Sequence, residues 1–191
     1  YFDPATGFLR AIGTDGKFRT PFDPFNAEHC SNDYTEGNAW QYTFLVPHDV
    51  HGLINLFGSD SKFMTKLDSL FIAEGDAGAK ASPDMSGMTG QYAHGNEPSH
   101  HIPYLYAWTS QPWKTQQWVR SIMNRMYRND IRGLGGNDDC GQMSAWYIFS
   151  AMGFYPVCPG TDQYVLGAPY LPYMKVNLPN GRSIVIRAKG V

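Results

Sequence analysis

Apolar residues recur at helical spacing through the middle of the chain. Four of them, between Asp49 and Phe57, fall at positions i, i+3, i+4 and i+7, which predicts an amphipathic helix over this stretch. These positions are Val50, Leu53, Ile54 and Phe57. Related patterns predict four further helices, over residues 59–71, 99–108, 112–127 and 144–152.

Capping and breaking residues support these boundaries. Ser59 is a favourable N-cap for the helix over 59–71, and Pro112 suits the first turn of the helix that follows it. Gly153 can terminate the last helix. Residues 36–48 leave two alternatives open, one helix that begins at Thr35 and Glu36 or a loop followed by a helix.

The pattern changes to short strands after Pro156. Strands are predicted over residues 163–166, 174–178 and 183–187, with a strong turn signal at Pro179-Asn180-Gly181. Residues 1–35 and 74–99 are rich in glycine and proline or serine and read as loops. The chain is therefore predicted to be mainly α, with a small C-terminal β region that begins near residue 157.

Composition narrows the possible partners. The 191 residues carry a net charge of −2 and a pI near 6.3, without the basic surface that nucleic-acid binding requires. No apolar stretch approaches the roughly 20 residues that span a bilayer. The aromatic content of 15% places many rings beside hydrogen-bonding groups, a combination that suits sugars, although most such rings are expected to pack in the core.

A first polar cluster covers residues 34–42. The single carboxyl of Glu36 stands among aromatic and amide side chains, including Trp40, and such surroundings suit a general acid. The alternative is that Glu36 only caps or opens the following helix.

A second cluster covers residues 94–101. Oxygen ligands from Asn96 and Glu97 suit a hard cation such as calcium, and the histidine spacing does not match helix-borne zinc sites. The alternative is that His94, His100 and His101 cap and pack the following helix.

A third cluster, Asn137-Asp138-Asp139, precedes a strongly apolar run. Carboxylates are costly to hold against apolar surface unless they are paired, hydrogen-bonded or metal-bound, so the cluster marks a candidate site. The alternative is that one of the two aspartates caps the helix. Together with Glu36, this cluster supplies the acid and the base that glycoside hydrolysis requires.

Four segments resemble glycoside hydrolase family 92, the calcium-dependent exo-acting α-mannosidases. They occupy residues 35–53, 90–106, 111–116 and 136–160, in the family's order, and read TEGNAWQYTFLVPHDVHGL, GQYAHGNEPSHHIPYLY, QPWKTQ and GNDDCGQMSAWYIFSAMGFYPVCPG. The resemblance implies a β-sandwich followed by an (α/α)6 toroid. Residues 1–156 would form the second half of that toroid, and residues 157–191 would form the β return.

The resemblance also implies roles for the polar residues. Glu36 matches the general acid and Asp139 the general base, with Asp138 as a further catalytic carboxylate and Glu97 as a calcium ligand. The family often has an aspartate where this chain has Asn137. The residues expected to contact substrate are Trp40, Asn96, Asn137, His100 and His101.

The resulting expectation is an exo-acting α-mannosidase that removes terminal α-1,2-linked or other α-linked mannose from glycans with inversion. A secreted, periplasmic or cell-surface location follows from the family alone. The alternatives are a mannosyl-phosphodiester hydrolase, against which the presence of Glu36 argues, and a non-catalytic carbohydrate-binding piece. Both ends read as cuts within a larger protein, so we expect the isolated chain to be inactive if missing helices complete the site.

Overall fold

The computed structural model describes residues 1–191 and contains five α-helices and two 3₁₀ helices. The α-helices are α1 (Ala39–Thr43), α2 (Val50–Leu56), α3 (Asp60–Leu70), α4 (Trp113–Met126) and α5 (Gln142–Met152). The 3₁₀ helices, Glu97–Ser99 and Ile102–Trp108, lie between α3 and α4. None of these helices is long and apolar enough to cross a bilayer.

Local capping explains where α2 and α3 begin and where α5 ends. The Asp49 carboxylate accepts a hydrogen bond from the N–H of Gly52, and the Ser59 hydroxyl accepts one from Lys62. Gly153 ends α5 in the left-handed conformation, at φ 91°. The predicted α2, α3, α4 and α5 are confirmed, each to within a few residues.

Two segments do not form a single regular α-helix. Residues 36–48 form a loop followed by the short helix α1, with Asn38 as its N-cap. The aromatic segment predicted as a helix over 99–108 is a 3₁₀ helix from Ile102, in which Tyr104 N–H donates to the His101 carbonyl. Five successive side chains are buried from Ile102 to Tyr106, so packing on all sides replaces the one-sided burial of an amphipathic α-helix.

The strands form four separate two-stranded antiparallel sheets. They pair β1 (Phe2–Asp3) with β2 (Phe8–Leu9), β3 (Met88–Thr89) with β4 (Tyr92–Ala93), β5 (Phe154–Tyr155) with β6 (Val165–Leu166), and β7 (Tyr173–Asn177) with β8 (Ser183–Arg187). The last pair is the predicted C-terminal hairpin. Because β5 pairs with β6, Val165 and Leu166 are joined directly to the residues that follow α5.

One aromatic-rich core of 22 buried residues links the helices. Its largest fully buried side chains include Trp146 of α5, Tyr104 and Tyr106 of the second 3₁₀ helix, and Tyr92 of β4. The helix-rich structure with small sheets confirms the predicted mainly α class. The three polar clusters lie in the segments at the N-terminal ends of α1, the first 3₁₀ helix and α5.

Candidate functional site

The three acidic segments come together although they are far apart in sequence. The side-chain amide of Asn96 donates to the Glu36 carbonyl at 3.0 Å, which joins the first cluster to the second. Partial burial raises the pKa of Glu97, and the nearby carboxylates of Asp139 and Glu36 raise it further. The predicted acid, base and metal ligand therefore share one site.

Glu36 is fixed by its backbone while its carboxylate stays free. Its N–H donates to the Tyr42 hydroxyl at 3.2 Å, and its carbonyl accepts the bond from Asn96. The half-buried carboxylate makes no hydrogen bond or ion pair within the chain. Asn38, and not Glu36, caps α1, which removes the alternative that Glu36 serves as the helix cap.

Asn38 stabilises the loop that carries Glu36, the acid loop, through a capping box. Its side-chain oxygen accepts from Trp40 N–H at 3.0 Å, and the Gln41 side chain accepts from Asn38 N–H at 2.7 Å. The Asn38 amide also donates to Gln91 Oε1 at 2.9 Å and to the Phe25 carbonyl at 3.1 Å. These bonds are buried, so the loop that presents Glu36 rests on a satisfied polar network.

Asn96 serves as a link between two loops. Its side-chain oxygen accepts from Glu97 N–H at 3.1 Å, while its amide group donates to Glu36. The residue is only 5% exposed. Since both polar ends of the side chain are engaged within the chain, the structure shows Asn96 as a positioning group, and its predicted contact with substrate stays a prediction.

Asp138 and Asp139 have different surroundings. Asp138 Oδ1 accepts from Ser144 N–H at 3.0 Å and from its hydroxyl at 2.7 Å, so Asp138 caps the first turn of α5. Asp139 is exposed and lies in the left-handed region at φ 47°, followed by Cys140 at φ 57° and Gly141 at φ 96°. Strained non-glycine residues of this kind cluster at functional sites, so the backbone favours Asp139 as the working carboxylate.

Asn137 lies exposed at the edge of the site. It borders a shallow polar depression that Arg128, Arg132 and Asp138 also line. The structure places Asn137 next to the base segment, as expected, without a side-chain partner in the chain.

The two predicted substrate-contacting histidines are buried. His100 Nε2–H donates to the His94 carbonyl at 2.9 Å, and burial lowers the pKa of His100 to about 4. His101 Nε2–H donates to the Phe44 carbonyl at 2.7 Å, and burial likewise lowers the pKa of His101 to about 4. Both imidazoles are therefore neutral near pH 7 and are hydrogen-bonded to other segments of the chain, and their predicted contact with substrate stays a prediction.

Trp40 lies in the core and not at the sugar-facing surface that was predicted for it. Its side chain is 8% exposed and packs edge-on against Phe8, with ring centroids 5.0 Å apart. Lys66 Nζ lies 4.4 Å from the indole centroid. The reason is that α1 is short and buries four of its five residues, so an aromatic ring at this position turns inward.

The side chains at the site meet the needs of the predicted calcium ion only in part. No group of three or more His, Cys, Asp and Glu side chains is arranged to hold a metal ion. The side-chain donors that face the site are carboxylate oxygens, of Glu97, Asp139 and Glu36, and the mutual effect of these carboxylates on the pKa of Glu97 is one that a cation would relieve. The residues thus offer oxygen atoms of the kind that calcium takes, and the role of Glu97 as a calcium ligand stays a prediction.

Several residues of the site were missed by sequence reasoning. Tyr127, Gln142 and Met143 connect the second and third clusters through hydrogen bonds. Tyr127 lies outside the four segments that resemble the family, and Gln142 and Met143 lie within the last segment but had no predicted role. Gly95 and Gly136 touch, because a Cβ on Gly136 would lie 2.5 Å from the Gly95 Cα. Gly136 directly precedes Asn137, and the absence of a side chain at this position is what permits the close approach to Gly95.

Two solved structures with similar folds are mannosidases of family GH92. The chain matches a family GH92 α-mannosidase from Bacteroides thetaiotaomicron, in complex with mannoimidazole, at a TM-score of 0.92 and 43% identity over 100% of this chain and 26% of that one. It also matches the family GH92 inverting mannosidase BT2199 of the same organism, at a TM-score of 0.81 and 39% identity over 98% of this chain and 26% of that one.

A curated relative and a family model agree with these matches. An uncharacterized secreted glycosidase of Arthroderma benhamiae is 29% identical over 158 residues, which are 82% of this chain and 18% of that protein. The chain thus spans about a fifth to a quarter of the length of these relatives. The model of the glycosyl hydrolase family 92 catalytic domain matches residues 1–191 throughout, and the chain therefore belongs to this family.

Proposed function

We propose that the protein containing this chain is an exo-acting α-mannosidase that removes terminal α-linked mannose, including α-1,2-linked mannose, from glycans. The observation that carries the proposal is the meeting of a free Glu36 carboxylate and a strained, exposed Asp139 around Glu97. The similar structures are described as an α-mannosidase with bound mannoimidazole and as an inverting mannosidase, which supports the substrate and the stereochemistry.

In the proposed reaction Glu36 donates its proton to the departing glycosidic oxygen. Asp139 removes a proton from a water molecule on the opposite face of the sugar, and that water attacks the anomeric carbon with inversion. Inverting glycosidases separate the two carboxyl groups by about 6.5–9.5 Å to admit this water. Asp138 holds the first turn of α5 and thereby the segment that carries Asp139, so it acts as a positioning residue.

Calcium belongs to the same proposal. Glu97 would be a ligand, with further oxygen atoms from substrate hydroxyls, water or the rest of the protein, and a bound calcium ion would supply positive charge that holds mannose hydroxyls. Asn96 presents Glu97 by accepting its N–H, and it ties the same loop to Glu36.

The proposal extends to architecture and location. We propose that residues 1–156 form part of an (α/α)6 toroid and that residues 157–191 form its β return, supported by helices that precede small sheets and by the fold of the relatives. A secreted, periplasmic or cell-surface location is proposed from the relative described as a secreted glycosidase.

Glu36→Gln tests the acid in the full-length protein. The variant is expected to lose at least about 100-fold in kcat on α-1,2-mannobiose but to keep most activity on an aryl mannoside whose leaving group needs no proton. Glu74→Gln is the matched control, since Glu74 is an exposed loop carboxylate that belongs to none of the three clusters. Equal losses on both substrates would remove Glu36 from the acid role.

The wild-type protein supplies the test of the whole proposal. Mannose release from α-1,2-mannobiose is expected with calcium, to stop with EDTA and to return when calcium is restored. Binding of mannosides without release under any of these conditions would favour the carbohydrate-binding alternative. Cleavage of mannosyl phosphodiesters in place of mannobiose would favour the phosphodiesterase alternative.

A further inference from the structure

A buried hydrogen-bond network lies beneath the three carboxyls. Its centre is His94, which is fully buried and engaged at both ring nitrogens. Nδ1 lies 2.7 Å from the Tyr92 hydroxyl, and Nε2 lies 2.8 Å from the Tyr127 hydroxyl. The Tyr127 hydroxyl also lies 3.0 Å from the carbonyl oxygen of Met143, in the first turn of α5. Tyr127 thus bridges the segment that carries Glu97 and the helix that follows Asp139.

Each proton in this chain of bonds has one possible place. The Met143 carbonyl only accepts, so the Tyr127 hydroxyl donates to it and must accept from His94 Nε2–H. His94 Nδ1 is then unprotonated and accepts from the Tyr92 hydroxyl. Burial holds the pKa of His94 well below its usual value, which keeps this neutral form in place.

His100 forms a second arm of the same network. Its Nε2–H donates to the His94 carbonyl, and its Nδ1 accepts from the Gln142 side-chain amide at 3.2 Å. The His100 carbonyl accepts from Trp146 Nε1–H at 2.9 Å. Residues 94–100 are therefore attached to α5 at three of its residues, which are Gln142, Trp146 and, through Tyr127, Met143. Gln142 and Met143 lie in the first turn of α5.

The first turn of α5 in turn holds the base segment. Gln142 N–H donates to the Asp139 carbonyl, and Met143 N–H donates to the Asp138 carbonyl, both at 3.2 Å. Asp139 and Cys140 occupy the left-handed region, which their side chains disfavour, so local sequence alone does not keep them there. The bonds from Gln142 and Met143 connect this strained turn to the network below it.

We propose that Tyr127 is a positioning residue for the reaction, because its hydroxyl sets the place of Asp139 relative to the segment that carries Glu97. This inference rests on the function proposed above. The ring of Tyr127 also packs parallel to the Trp146 indole, with centroids 6.0 Å apart, so the hydroxyl and the ring have separable roles. Replacement by phenylalanine removes the bridge and retains the stacking.

The test compares Tyr127→Phe with Tyr104→Phe in the full-length protein. Tyr104 is fully buried, and its hydroxyl contacts α5 at Ser150, 2.7 Å away and near the far end of the helix from Asp139. Each variant therefore loses one tyrosine hydroxyl that is hydrogen-bonded to the same helix. Tyr127→Phe is expected to lower kcat by about 10- to 100-fold with KM within twofold of wild type, since a small misplacement of a catalytic group has effects of this size. Tyr104→Phe is expected to change kcat less than twofold.

Amide hydrogen exchange gives a second measurement that does not depend on activity. Exchange at Gln142 and Met143 is expected to become at least about tenfold faster in Tyr127→Phe and to stay near the wild-type rate in Tyr104→Phe. Equal kcat values for the two variants, or equal exchange rates at these amides, would overturn the inference. A wild-type protein without mannosidase activity would instead reject the proposed function, and the exchange comparison would still decide whether Tyr127 holds the base segment.

Discussion

The loop that carries Glu36 and the loop that carries Asp139 are held in place by different means. The acid loop has extended backbone at Asn38, with φ −134° and ψ −175°, and it rests on buried amides that bond to one another and to Gln91. The base loop is exposed, has left-handed backbone at Asp139 and Cys140, and is held from the first turn of α5.

This difference predicts how each loop responds to substitution. A buried amide network is costly to interrupt, because every partner left without a hydrogen bond adds its own desolvation cost. A strained exposed turn stores little of the total stability, but its geometry decides where one carboxylate stands. Changes beneath the acid loop should therefore reduce stability first, and changes around the base loop should reduce activity first.

Asn38→Ala is expected to have the largest effect on stability. The variant leaves Trp40 N–H, Gln91 Oε1 and the Phe25 carbonyl without their present partner, at a cost of about 3 kcal/mol. Asn55→Ala on the exposed side of α2 is the matched control and should change stability by less than about 0.5 kcal/mol. Urea denaturation of the full-length variants measures both, and similar values would show that the acid loop does not depend on its capping box.

Gly136→Ala is expected to act on both quantities. A Cβ on Gly136 would lie 2.5 Å from the Gly95 Cα and 2.8 Å from Ser86 Oγ, so the base segment must move away from the segment that carries Glu97. Overpacking of this kind costs about 1–3 kcal/mol, and the displacement should lower kcat by at least about tenfold.

Gly167→Ala is the control for that substitution. Its added Cβ would meet no atom closer than 3.7 Å, so both stability and kcat should stay near wild type. Thermal unfolding and kinetics on an α-mannoside distinguish the two variants. Wild-type kcat in Gly136→Ala would contradict the close contact as the reason that the two segments lie together.

Much of the fold could be predicted because its determinants are local. Apolar spacing and the Ser59 cap predict α3, and Gly153 marks the end of α5 in both sequence and structure. The 3₁₀ helix could not be predicted in this way, since its form depends on burial of five successive side chains by other parts of the chain. The same limit applies to Trp40, whose polar neighbours in sequence suggested a sugar contact while Phe8 and Lys66 enclose it in the core.

The acidic residues of the candidate site could be predicted from the sequence, but the backbone and the hydrogen bonds that hold them in place could not. Glu36, Glu97 and Asp139 stand in recognisable segments, and the structure brings them together. The left-handed backbone at Asp139 could not be predicted from the sequence, because non-glycine residues rarely adopt this conformation and no side-chain pattern indicates it. The bridge through Tyr127 joins residues that are distant in the chain, so only the folded structure reveals it.

Asp138→Asn has the smallest expected effect, and it separates the roles of the two aspartates of the base loop. Asp138→Asn keeps a side-chain oxygen that can accept from Ser144 N–H and its hydroxyl, whereas Asp138→Ala removes the cap at a cost of about 1 kcal/mol. If Asp138 only positions the turn, Asp138→Asn should retain kcat within about threefold of wild type, while Asp138→Ala should lose roughly tenfold and Asp139→Asn should lose nearly all activity.

Ser144→Ala controls for the cap, because it removes the hydroxyl donor and leaves the backbone N–H bond to Asp138 intact. Its kcat should lie between those of wild type and Asp138→Ala. The same series of α-mannoside kinetics decides the assignment of the base. Losses as severe in Asp138→Asn as in Asp139→Asn would mean that the charge of Asp138 is itself required, and Asp138 would then share the proton transfer that we propose for Asp139 alone.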